Sequence, residues 1–128
     1  MVYKLETSSF SLLLKLKVFY SDIQYPTNTV LEIALHSGGF NGSTSMDIDI
    51  KEFKSFVCSL SDLYETLRGS AAITEPYGKQ TIRFSSDHAG HIHVSGMICN
   101  NGQSLQFENH FDQTFLKTFV SSLKEMLR

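Results

Sequence analysis

The chain has 128 residues, 41% of them hydrophobic, with 11 basic and 13 acidic side chains and a formal net charge of −2. That length suits one domain spanning residues 1–128, because single cores typically run to about 100–150 residues. The charge balance excludes an intrinsically disordered segment and a polybasic nucleic-acid binder, and two cysteines with two prolines exclude a disulfide scaffold or a proline-rich tail.

Taken in chain order, the hydrophobic period switches between two and 3.6. Phe10, Leu12, Leu14, Leu16 and Val18 alternate with Ser11, Leu13, Lys15, Lys17 and Phe19, a strand with one apolar and one mixed face. Tyr25-Pro26-Thr27-Asn28 carries turn chemistry. Leu31, Ile33 and Leu35 alternate with Val30, Glu32, Ala34 and His36 in a second strand, and the glycine-rich run Ser37–Gly42 leads into a third over 43–48. Asp49 suits an N-cap with Glu52 three positions on, the spacing of a capping box. Phe53, Phe56, Val57, Leu60, Leu63, Tyr64 and Leu67 then share one face of a helix placed over 50–68, with Gly69 as its stop.

Four further strands are expected: 71–74, then Gln80/Ile82/Phe84, Ile92/Val94/Ile98 and Leu105/Phe107, each alternating with polar residues. Asp87–Gly90 suits a loop closed by a glycine bulge, and Asn101-Gly102 a type I′ hairpin turn. Pairing Phe84 with Ile92 keeps the apolar parity and sets Arg83 opposite His93. A second helix is expected after Asp112, which would cap it, with Phe115, Leu116, Phe119, Val120, Leu123 and Leu127 on its apolar face and Lys124 and Arg128 near its end. The order βββ-α-ββββ-α predicts an α+β fold: an antiparallel sheet of six to seven strands with two helices packed on one face.

No basic segment and apolar run opens the chain, and the longest apolar run is Leu12–Leu14, so neither a secretory signal nor a membrane span is expected and the cytoplasm is the simplest compartment. Cys58 and Cys99 match no zinc spacing and are expected to be reduced core thiols. Phe40 is expected either to fold back into the core, the favoured reading, or to stand exposed as a partner anchor.

The residues offer little catalytic chemistry. No Gly-x-Ser-x-Gly elbow, His-Glu-x-x-His pair or phosphate loop is present. His91 and His93 share one strand face, and the Asn101-Gly102 turn places His110 across from His93, which leaves a small ligand or metal site, or an enzyme, as the alternative reading. The more informative feature is collective. The face away from the helices is expected to carry Lys15, Lys17, Glu32, Thr81, Arg83, His91, His93, Gln106, Glu108 and His110, with Val30, Ala34 and Met97 among them, either as a solvated face or as a protein-binding surface.

Four segments carry a resemblance: Gly39-Phe40-Asn41-Gly42; Phe53-x-x-Phe56-x-x-x-Leu60-x-x-Leu63-Tyr64-x-x-Leu67-x-Gly69-x-Ala71; Gly90-His91-Ile92-x-Val94-x-Gly96; and Phe111-Asp112-Gln113-Thr114-Phe115-Leu116. In this order, over about residues 10–127, the chain resembles the WapI family of bacterial immunity proteins. The resemblance implies an intracellular protein that neutralises a cognate polymorphic toxin by binding it, with no catalysis and no cofactor. It supplies no catalytic residues. Gly69, Gly90, Gly96 and Asp112 would be fold determinants, namely turn glycines and a helix cap. The net charge of −2 argues against inhibition by nucleic-acid mimicry. The expected partner is therefore a toxin domain, not nucleic acid or membrane, and the expected contact residues are Arg83, His91, His93, Glu108, His110, Lys15, Lys17 and Glu32.

Overall fold

Strand periodicity in this chain builds two sheets rather than one. The computed structural model describes residues 1–87 and 89–127. The first sheet has the order β1 (Val2–Glu6), β2 (Phe10–Val18), β3 (Thr29–Ser37), β4 (Phe40–Ile48), all antiparallel. Helix α1 (Ile50–Thr66) then carries the chain to a second antiparallel sheet, β5 (Ser70–Thr74), β6 (Thr81–Ser86), β7 (His91–Asn100), β8 (Gln103–Asp112), followed by α2 (Leu116–Glu125). The α+β class holds. The single sheet of six to seven strands is corrected to two sheets of four, and the order to ββββ-α twice over.

The extra strand is β1. Only Tyr3 and Leu5 are buried on it, too short an alternation to stand out in the sequence, yet it pairs along β2 from Val2↔Lys15 to Glu6↔Ser11. Elsewhere the parity expected from the sequence places the core correctly. Phe10, Leu12, Leu14, Leu16, Leu31, Ile33 and Leu35 face inward from the first sheet, and Ile73, Ile82, Phe84, Ile92, Val94, Ile98 and Phe107 from the second. Helix α1 packs on β5 and β6, α2 packs on β1, and the helices touch each other, so the helices serve both sheets. Phe10 of β2 stacks with Phe107 and Phe111 of β8 at 6.1 and 6.4 Å between ring centroids, and these inward residues belong to one buried cluster.

Polar side chains also join the sheets. Thr44 donates its hydroxyl to the Cys99 carbonyl at 2.6 Å, and Asn100 its amide to the Ser43 carbonyl at 2.8 Å. Gln80, which is buried, donates to the Ser45 carbonyl and accepts from the Cys99 amide, both at 2.9 Å.

Local rules held at some ends and failed at others. Asp49 caps α1 as expected, accepting from the Lys51 amide at 2.8 Å. The helix stops earlier than expected, because Leu67 itself takes the left-handed conformation (φ 57°) while its amide bonds to the Leu63 carbonyl; Gly69 (φ 86°) only turns the chain into β5. The partial burial of Leu67 against the core offsets the roughly 1–2 kcal/mol that a left-handed leucine costs. Asp112 does not cap α2. A 3-10 turn over Gln113–Phe115 intervenes, and the Asp112 carboxylate accepts the Thr114 hydroxyl at 2.6 Å instead. Phe115 falls in that 3-10 turn and Leu127 beyond the end of α2, and both stand exposed rather than on the buried stripe.

At the turns, Asn101 and Gly102 have φ of 52° and 76°, the two positive values a type I′ turn requires. Gly90 has φ 81°, and Asp87 donates its amide to the His91 carbonyl across the β6–β7 turn; His88 and Arg128 lie outside the described residues. The glycine-rich run shrinks to a Gly38-Gly39 turn with β4 starting at Phe40. Phe40 is 69% exposed, the less favoured of its two expected placements, and lines a hollow together with Leu105–Asn109 of β8. Cys58 is exposed on α1 and Cys99 is half-buried on the outward side of β7, so neither is a core thiol. A neighbour of Val57 in sequence is about 100° away around the helix.

Candidate interaction face

Both sheets leave one face uncovered by the helices, and the expected contact residues divide between these two faces. Lys15, Lys17 and Glu32 stand exposed on the outward side of β2 and β3, with Lys15 directly opposite Glu32. Arg83, His91, Glu108 and His110 are exposed on the outward side of β6, β7 and β8, and His93 and Met97 are half-buried there. The one continuous face expected from the sequence is therefore two, joined at the β4–β7 seam.

On the second sheet the register brings His93 opposite His110, as expected. It does not place Arg83 opposite His93. Phe84 pairs with Val94, two residues along from the expected partner, so Arg83 faces Ser95 and His93 faces Ser85. Both registers keep the apolar parity, and parity alone cannot choose between registers that differ by two. His93 instead meets Glu108, Nε2 to Oε1 at 2.8 Å, diagonally across the strand pair. His91 lies 3.3 Å from the Asp87 carboxylate and directly opposite Asp112.

The two carboxylates beside His91 are held in their charged form. Asp87 titrates below its usual range, mainly because its carboxylate accepts the backbone amides of His91 and Ala89, at 3.0 and 2.8 Å. Asp112 is lowered mainly by the Thr114 hydroxyl. These are turn-shaping hydrogen bonds on exposed groups. Among the described residues no group of three His, Cys, Asp or Glu side chains is placed to hold a metal ion.

A hollow of about 310 Å³ borders Glu108, and larger ones lie elsewhere. Hollows of about 440 and 580 Å³ open on the outward side of the first sheet, sharing Leu13, Ala34 and Ser43 as floor, with Lys15 and Glu32 bordering one and Lys4 and His36 the other. Neither borders a histidine of the β7–β8 hairpin. Sequence reasoning passed over the connection between β2 and β3, where Phe19, Tyr20, Ile23 and Tyr25 are exposed. The signal was present as a crowding of aromatic residues among turn formers.

Two ββββ-α units facing each other across shared helices define a fold found in solved proteins. The chain is similar to WHY1 from Arabidopsis thaliana (TM-score 0.59, 10% identity, 99% of this chain and 82% of that one). It is similar as well to the MRP1/MRP2 proteins of Trypanosoma bruciei (TM-score 0.52, 14% identity, 99% and 81%) and to the plant transcriptional regulator PBF-2 (TM-score 0.52, 9% identity, 99% and 80%). At such identities the likeness is one of fold. Comparison with curated proteins gave no match. The chain belongs to the Immunity protein WapI-like family, which matches residues 14–128. No helix among the described residues is long and apolar enough to cross a membrane.

Proposed function

We propose that this protein neutralises a cognate polymorphic toxin in the cytoplasm by binding and occluding it, without catalysis and without a cofactor. Family membership supports the role. The observation that carries the mode is the uncovered face of β6–β8, where Arg83, His91, Glu108 and His110 reach solvent around the half-buried Met97 and His93. A mixed face with Arg, His and Met at its centre and charges of both signs around it matches the anatomy of protein–protein interfaces. Lys15, Lys17 and Glu32 offer a second contact area across the seam.

Co-expression with the toxin domain encoded immediately upstream of this gene tests the reading. Protection of the host, with a complex on gel filtration, is the expected result; toxicity without any complex overturns it. Within a complex, Arg83→Glu is expected to weaken binding by about tenfold or more, mostly through faster dissociation. The same reversal at Lys54, on the outward side of α1, is expected to leave binding within about twofold.

A further inference from the structure

Exposed apolar side chains are unevenly distributed. Among the described residues eleven large ones stand exposed, and five of them, Phe19, Tyr20, Ile23, Tyr25 and Tyr77, belong to just two connections. The connections are 19–28, between β2 and β3, and 75–80, between β5 and β6. They meet at one end of the molecule, where Thr27 of the first and Glu75 and Tyr77 of the second line a hollow of about 230 Å³ together with Asp47 of β4. Scattered surface apolar residues need no explanation, but a concentration of aromatic ones does.

These connections are built rather than loose. Asn28 is only 2% exposed, and its amide donates to the carbonyls of Ile23 and Tyr25, both at 3.1 Å. Its side-chain oxygen accepts from the Ile50 amide at 2.9 Å, which anchors the connection to the start of α1. Buried Gln80 anchors the other connection to Ser45 and Cys99. Two buried amides thus hold in place loops whose aromatic side chains point to water: Tyr20 is 74% and Tyr77 84% exposed. Such pre-organisation lowers the ordering cost of binding, and tyrosines are favoured anchors.

Charge selects the occupant. Asp47 and Glu75 line the hollow beside the Tyr77 ring and no cationic side chain among the described residues lines it, while Asp22 adds a third carboxylate in the first connection. Lys17 and Lys79 are nearby in sequence, and Lys17 lies over the Phe19 ring, 5.3 Å from its centroid, so an aromatic face here already accepts a cation. Carboxylates at this position repel phosphates, which disfavours nucleic acid and anionic lipid. We infer that this aromatic end is the anchoring surface for a protein partner bearing arginine or lysine side chains, one of which enters the hollow between Asp47, Glu75 and Tyr77. The inference rests on the proposed toxin-binding role and names the chemistry of the toxin surface. The end adjoins the β6–β8 face through Thr74 and Thr81, whose hydroxyls lie 3.0 Å apart at the base of the Tyr77 connection.

Isothermal titration with the toxin domain encoded immediately upstream tests it. Asp47→Asn with Glu75→Gln is expected to weaken binding about tenfold or more at low salt and much less at high salt. Tyr25→Ala with Tyr77→Ala is expected to weaken it similarly at both. Glu65→Ala, exposed in the last turn of α1 and so remote from the connection anchored at its start, serves as control and is expected to stay within about twofold. Circular dichroism and a thermal melt establish that each variant is folded; should the tyrosine pair fail this check, Tyr77→Ser alone replaces it. A complex that both pairs leave within about twofold of wild type overturns this inference and leaves the toxin-binding role standing. No complex with the wild-type chain overturns both. Binding of oligothymidylate or of phosphatidylserine vesicles that is lost in the tyrosine variant overturns the protein assignment.

Discussion

At the scale of single residues, backbone approach explains what motif reasoning misread. Gly96 was expected to be a turn glycine, yet it sits in the middle of β7, opposite Phe107. A Cβ there would collide with the Thr81 carbonyl oxygen and lie 3.0 Å from the Phe107 ring and 3.1 Å from the Ile82 Cα. Backbone atoms of a paired strand cannot step aside as a side-chain tip can. Gly96→Ala is therefore expected to cost about 2–4 kcal/mol in urea unfolding, more than the same change at Gly39, where a Cβ meets open space. Asp87 supplies a pH-dependent counterpart. Its folded-state pKa lies below the ordinary 3.8, so its contribution to stability is fully present above that value and is lost as pH falls through the lowered one. The stability difference between wild type and Asp87→Asn is expected to be largest above pH 4 or so and to shrink toward zero in stronger acid, checked by urea titrations across that window. Legibility at this scale followed locality. The Asp49 cap and the Asn101-Gly102 turn depend on residues within a few positions and were readable, whereas the exposure of Phe40 depends on what the rest of the chain covers.

At the scale of elements, the buried amides Asn28 and Gln80 decide how strands and helices are joined. Asn28 belongs to no apolar alternation, and Gln80 keeps the inward parity of Ile82 and Phe84 without being apolar, so periodicity could not show that either amide is a buried anchor. Asn28 satisfies two loop carbonyls, the Thr29 hydroxyl and the first amide of α1 with one side chain. Removing it leaves the buried Ile50 amide and Thr29 hydroxyl without their partner, which costs roughly 1–3 kcal/mol per unsatisfied group, and frees the two loop carbonyls it holds. Asn28→Asp is informative because it keeps the shape and the acceptor toward Ile50 but removes both donors and sets a carboxylate against two carbonyl oxygens. We expect it to lower stability by about 2–4 kcal/mol and to speed hydrogen exchange across residues 19–28 before the strands, measured by mass spectrometry. The helix ends teach the same point. Asp112 has the right chemistry for a cap, but a 3-10 turn separates it from α2, and no local pattern distinguishes a helix that starts at once from one that starts three residues later.

At the scale of the whole molecule, inward and outward parity was readable for nearly every strand, but the division into two sheets was not. Alternation tells which side of a strand is dry and says nothing about whether the next strand joins the same sheet or begins another. The outward residues were accordingly identified correctly and grouped wrongly, with Lys15, Lys17 and Glu32 on a different face from Arg83, Glu108 and the hairpin histidines. The two sheets meet directly where Phe10 stacks on Phe107 and Phe111 and along the β4–β7 seam, and a second, aromatic route joins them through the helices. Tyr3 of β1 meets Phe53 of α1 at 6.3 Å, Phe53 meets Phe56 at 6.0 Å, Phe56 meets Phe84 of β6 at 6.1 Å, and Phe84 meets Phe119 of α2 at 6.4 Å. Apart from Phe53–Phe56, which lies within α1, each link joins elements that strand pairing does not connect, so this route contributes to whether the sheets unfold together. Phe56 is the central test, since its ring meets Phe84 of the second sheet on one side and Phe53, the partner of Tyr3 in the first sheet, on the other. Phe56→Ala is expected to cost about 3–5 kcal/mol, the range for deleting a buried ring. If the core is one cooperative unit, native-state hydrogen exchange of the most protected amides in β2 and β3 is accelerated by the same factor as that of amides in β6 and β7. Acceleration confined to β6 and β7, with β2 and β3 at wild-type protection, would show that the sheets open separately and that the aromatic chain does not couple them.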